Sequence, residues 1–294
     1  MTSPPQEIIA IGGIGGSGTR LIADIVMKFG FYMGASLNKS LDNLWFTLLF
    51  QRPGWFARFP ADDDIVAALR LFHRAMTTGL SGTISIRDAD FIHSLVRDLE
   101  QAAHGTGADR KTAEKLIASM PSKQAAPVGW GWKEPNSHIF LPQIVSEFAG
   151  IKYIYVIRNG LDMAFSNNTN QIRNWGKYIC GISIIDEFVS EKMMLEYWIF
   201  ANKRAIEIGK KQLNDKFMII NYNNFCRSSL DELQKLAEFL NIKADKNIIK
   251  KILNTIKPIT INRFEKNDLS IFTKKQIESV REFGFDVDIS TKII

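Results

Sequence analysis

Ile11-Gly12-Gly13-Ile14-Gly15-Gly16-Ser17-Gly18-Thr19-Arg20 follows the apolar run Ile8 to Ile11 and opens an amphipathic stretch. The order is strand, glycine loop, helix, the sequence form of a phosphate cradle. Glycines let the backbone turn tightly and bring N–H groups against an anion, and the helix N-terminus adds partial positive charge. Leu21, Ile22, Ile25, Val26 and Phe29 recur at helical spacing and Gly30 stops the helix, so the first βα unit spans about Glu7 to Phe29.

Beyond it, about Gly34 to Ser122 carries helical patterns and no strand signal. Asp62, Asp63 and Asp64 start a helix with Ile65, Val66, Leu69, Phe72 and Met76 as its apolar face. A second helix begins near Asp88 with Phe91, Leu95 and Leu99. A polar loop, Ala103 to Arg110, and a short helix to Met120 follow. Strand and helix alternate again from Val128-Gly129-Trp130-Gly131-Trp132: a helix over Pro142 to Phe148, then a strand over Lys152 to Ile157 ended by Arg158. A helix through Asp162, Phe165 and Ser166 comes next, then a long one from about Asp186 to Lys210, and a strand over Phe217 to Asn221. Ser229 and Glu232 read as a capping box for the helix that follows. This alternation predicts an α/β fold with a mostly parallel central sheet, residues 1–294 forming one domain with a helical cap inserted at about 34–122.

Composition narrows the function classes. With 46% hydrophobic and 23% charged residues the chain is globular. Two cysteines, Cys180 and Cys226, make no disulfide framework, and without CxxC or CxxH spacing no metal site is expected. A reduced, cytoplasmic setting is the simplest expectation. No apolar run approaches the ~20 residues that cross a bilayer. The net charge of +6 gathers around Lys243, Lys246, Lys250, Lys251 and Lys257, and no aromatic-interleaved basic stretch marks nucleic-acid binding.

Three readings compete for the loop. Gly13-Ile14-Gly15-Gly16-Ser17-Gly18 matches the dinucleotide fingerprint, but no acid stands in the window Phe31 to Asn38, where a ribose partner is needed. Gly13 and Gly18 have Walker spacing, but Thr19-Arg20 replaces the lysine and hydroxyl that reach phosphate and magnesium. The third reading involves a second segment, Tyr155-Val156-Ile157-Arg158-Asn159-Gly160-Leu161-Asp162-Met163-Ala164-Phe165-Ser166. Arginine at a strand end offers a phosphate a bidentate fork, and a serine two turns into the next helix returns to the same side.

Together these segments resemble the PAPS-dependent sulfotransferase family, of bacterial type. Gly16-Ser17-Gly18-Thr19-Arg20 is similar to its 5′-phosphosulfate loop, written as a basic residue and Ser-Gly-Thr-Thr. The Arg158–Ser166 segment is similar to its 3′-phosphate segment. Trp132-Lys133-Glu134-Pro135 with Leu141-Pro142, Asn221-Tyr222-Asn223-Asn224-Phe225, and Ile261-Asn262-Arg263-Phe264-Glu265-Lys266 resemble three further family elements. The resemblance implies a P-loop-like three-layer sandwich. It also implies transfer of a sulfuryl group from 3′-phosphoadenosine 5′-phosphosulfate to a hydroxyl or amine acceptor, a glycan or other small molecule, without metal.

By that resemblance Gly15, Gly16, Ser17, Gly18 and Thr19 hold the 5′-phosphosulfate, with Arg20 supplying the cation that Gly16 lacks. Arg158 and Ser166 hold the 3′-phosphate, with Tyr222 and Arg263 completing the nucleotide site, and Lys133 meets the bridging oxygen. Gly160 stands where the family has proline, and Pro135 where cytosolic members carry a histidine base. The base is therefore open among Asp42, His138, Glu134 and Asp88. Trp45, Phe46, Phe50, Trp55, Phe56, Phe59 and Phe72 suit either an acceptor pocket or a core. A P-loop kinase using ATP–magnesium and a catalytically silent nucleotide-binding module are the alternatives.

Overall fold

The computed structural model describes residues 7–58, 60–100, 110–119, 128–184, 188–256 and 261–287. Phe59, Asp186, Lys257 and the loop before Arg110 lie outside them. Four strands, β1 (Glu7–Gly13), β2 (Gly129–Lys133), β3 (Lys152–Ile157) and β4 (Phe217–Asn221), form one parallel sheet in the order β2-β1-β3-β4. The helices before β2 are α1 (Thr19–Lys28), α2 (Leu44–Phe50), α3 (Pro53–Phe56), α4 (Asp62–Thr77), α5 (Ile86–Glu100) and α6 (Arg110–Ala118). After it come α7 (Leu141–Glu147), α8 (Gly160–Ala164), α9 (Asn170–Cys180), α10 (Glu191–Leu213), α11 (Tyr222–Arg227), α12 (Ser229–Phe239), α13 (Lys246–Leu253) and α14 (Lys274–Glu282).

The chain divides into two compact units. The first holds β1, Thr19–Ile154 and Ile208–Met218. Here β1 and β2 pair from Glu7 with Gly129 to Ile11 with Lys133, so the hydrophobic run of β1 fixes where Lys133 falls. Phe46 stacks on Trp132 at 5.7 Å and Phe72 meets the same ring edge-on at 5.0 Å. Trp45, Phe46, Phe50 and Phe72 are buried, so these four are core; Trp55 and Phe56 are half-buried.

The second unit holds Ile14–Gly18, Tyr155–Glu207 and the chain from Ile219. Tyr155 donates to Asn202 Oδ1 (2.9 Å) and Trp198 Nε1 to the Arg158 carbonyl (3.1 Å), tying the end of β3 to α10.

Three local expectations are corrected. α8 stops at Ala164, so Ser166 lies past the helix, its Oγ accepting from Asn168 N (3.2 Å). α10 begins at Glu191, where Ser190 accepts the Met194 N–H and the regular turns start. The Ser229–Glu232 box does not form, because Ser229 is already helical and its Oγ turns back to the Cys226 carbonyl (3.3 Å). The box is instead at α14, where Thr273 and Gln276 each accept the other's N–H.

Candidate functional site

The residues singled out by the sequence fall into two clusters, one in each unit. In the second unit the loop turns through a Ser17 N–H to Ile14 carbonyl bond (2.9 Å). Gly18 has φ +102°, and a Cβ there would overlap the Tyr222 ring, so the loop and the first residue of α11 require glycine twice over. Arg158 is 5% exposed; its Nη1 donates to the Gly16 carbonyl (3.3 Å) and its guanidinium lies 5.3 Å from the Tyr222 ring centroid.

Asp162, fully buried one turn into α8, orders this cluster. Its carboxylate pairs with Arg158 Nη2 (3.6 Å) and accepts the backbone N–H groups of Asn262 (3.1 Å) and Phe264 (3.2 Å). The 3₁₀ turn that carries Arg263 is thereby fastened beside Arg158. Burial, and then the Arg263 charge, hold Arg158 below the usual arginine value, against the pull of Asp162 and Tyr222. Asp162 is the ion-pair partner of Arg158, and the Arg263 charge acts on Arg158 besides, so positive charge gathers here. The buried Ser17 Oγ and Arg263 Nε have no partner among the described residues. Spare donors around excess positive charge suit an anionic, oxygen-rich ligand such as a phosphate.

Gly160 has a local cause. A Cβ there would stand 2.7 Å from Trp198 Cε3, so the proline usual in the family would collide with the indole. Asn159 caps α8 in its place, Oδ1 accepting from Leu161 N (2.9 Å).

The first unit holds the other cluster. Lys133, 2% exposed at the end of β2, ion-pairs with Asp42 Oδ1 and donates to the Ser40 carbonyl (3.1 Å). Asp42 Oδ2 accepts from Asn38 Nδ2 (2.9 Å), and Asn38 Oδ1 accepts the Asp42 N–H (2.9 Å), so the loop holds the carboxylate on the lysine. Glu134 is buried next to them. His138 is wholly buried in the 3₁₀ turn after β2, and Asp88 is occupied by Arg74 at 3.1 Å. Thr19 opens α1 and is buried; Arg20 is exposed on its first turn with no partner among the described residues.

Sequence reading missed the part played by Asp162, although its place four residues after Arg158 is the spacing of a helical ion pair. It also missed Trp198, for which no local signal exists.

A glycine loop following the first of four parallel strands, with an arginine at the end of the neighbouring strand, gives the chain a P-loop-like α/β fold. Residues 131–289, more than half of the 294, match the family model described as sulfotransferase domain, and the chain belongs to that family. Among solved structures it is similar to the sulfotransferase domain of the Synechococcus PCC 7002 olefin synthase, at 14% identity and TM-score 0.54, covering 98% of each chain. The sulfotransferase STF9 from Mycobacterium avium aligns at 13% identity and TM-score 0.48, over 97% of this chain and 78% of that one. At these identities the first likeness supports the fold alone. No curated protein sequence matches the chain. No described helix is long and apolar enough to cross a membrane.

Proposed function

We propose that the protein transfers a sulfuryl group from 3′-phosphoadenosine 5′-phosphosulfate to a hydroxyl or amine of a small-molecule or glycan acceptor, in the cytoplasm. The observation that carries this reading is the Arg158–Asp162–Arg263 arrangement, a surplus guanidinium with unpartnered donors beside a glycine loop. Arg158, Arg263 and Ser166 hold the 3′-phosphate. The N–H groups of Gly15 to Thr19, with the Ser17 hydroxyl, hold the 5′-phosphosulfate, Arg20 adds charge, and Tyr222 packs beside the nucleotide. The donor supplies an activated sulfur whose bond to the bridging oxygen breaks as the acceptor oxygen attaches.

Lys133 stabilises the negative charge that gathers on that bridging oxygen. Asp42 is the favoured base, because it is an ionisable partner of Lys133 and only partly buried, whereas His138 is sealed from solvent. It takes the proton that the acceptor loses as the new S–O or S–N bond forms. No metal is required by this scheme, since side-chain cations and loop N–H groups carry the charge.

Calorimetric titration with adenosine 3′,5′-bisphosphate, with ATP–magnesium and NAD as controls, tests the reading. Micromolar binding of the bisphosphate alone, weakened at least about 100-fold in Arg158→Ala as a bidentate charged partner is lost, is the expected result. Binding of ATP or NAD in its place would return the loop to the kinase or dinucleotide class.

A further inference from the structure

The Lys133 cluster contains an ionisable group that the scheme above does not use. Glu134 follows Lys133 directly, its N–H donating to the Ile11 carbonyl of β1 (3.2 Å), and its side chain is buried. Oε1 accepts from Asn136 Nδ2 (2.9 Å), while Oε2 is buried with no partner among the described residues. The groups that act on it are Asp42 from the loop before α2, Lys133 from β2 and Asn136 from the 3₁₀ turn.

One cation thus stands among two carboxylates. With both ionised, the interior would hold a negative charge without a counter-charge, which a low-dielectric site resists. Lys133 has three donors and two acceptors, Asp42 and the Ser40 carbonyl, which leaves one N–H to spare. We infer that Glu134 is a positioning residue acting through Lys133: as the neutral acid it leaves the lysine's spare N–H for an anionic ligand, and once ionised it claims Lys133 and turns the cluster negative.

Burial first, and then the Asp42 charge, push the Glu134 carboxyl up to about 8, with Lys133 and Asn136 pulling the other way. The working form at neutral pH is therefore the acid. Rising pH releases its proton to solvent and repels the sulfonated donor. The functional half of this inference rests on the assignment of Lys133 above; the protonation state does not.

Infrared titration of the wild-type protein should show a protonated-carboxyl band at neutral pH that vanishes as pH passes about 8 and is missing in Glu134→Gln. With turnover as readout, kcat/KM for the donor should fall about tenfold over the pH unit above that midpoint, and Glu134→Gln should lose this fall. A wild type with no such band overturns the inference, as does a Glu134→Gln enzyme that keeps the alkaline fall or is as slow as Lys133→Ala at neutral pH. Failure of the proposed function looks different: neither bisphosphate binding nor sulfuryl transfer at any pH, whatever the infrared titration gives.

Discussion

Lys133 is a buried cation whose charge is shared with Asp42 and whose position is set by strand pairing with Ile11. Its ligand in the proposed chemistry is an oxygen that becomes negative only during reaction, so the side chain contributes more to the transition state than to the bound donor. Lys133→Ala should therefore lower kcat about 100-fold or more, the scale of losing one preorganised donor to a developing anion, with a much smaller change in donor KM. Steady-state kinetics over a donor series decides this, and equal effects on kcat and KM would remove Lys133 from the bridging oxygen. Arg158 was legible in the sequence as an arginine ending a buried strand. Its charge environment was not, because Arg263 reaches it from more than a hundred residues further along the chain.

Short elements carry the second cluster and are held by single side chains. Asp162 joins α8 to the 3₁₀ turn of Arg263 through two backbone N–H groups, besides its pairing with Arg158. Asp162→Ala leaves a buried guanidinium and two backbone donors without their acceptor. It should destabilise the protein by about 3–5 kcal/mol, measured by urea unfolding, and loosen the bisphosphate site with it. Thr273→Ala removes one half of the capping box of α14, with an expected loss of about 1 kcal/mol in the same assay. The strands over Lys152–Ile157 and Phe217–Asn221 were legible to the residue, because dense β-branched and aromatic runs bounded by polar residues have few other solutions. Helix ends were less so. Ser229 had the right spacing for a box, but the helix had already begun at that residue, and no sequence signal distinguishes an N-cap from the first helical position.

For the whole molecule, Glu134 links stability to pH. Its folded-state value is raised from 4.5 to about 8, so the folded chain keeps a proton that the unfolded chain releases. The contribution is fully present below the unfolded value and is lost as pH rises to the folded one, by up to about 1.4 kcal/mol per pH unit. Thermal unfolding should show Glu134→Gln gaining on the wild type across this window, level off above it, and a constant gap would contradict the raised value. The sequence by itself determined the α/β class, the glycine loop and the strand that leads into Arg158, because hydrophobic periodicity and glycine placement act over a few residues. Only the tertiary structure decided that Asp162 pairs with Arg158 and fastens the turn that carries Arg263, that Trp198 excludes a side chain at position 160, and that Glu134 is buried where the charges of Asp42 and its paired Lys133 act on it. Those arrangements depend on burial and on charges distant in the chain, and desolvation gives them their strength only once the fold has closed around them.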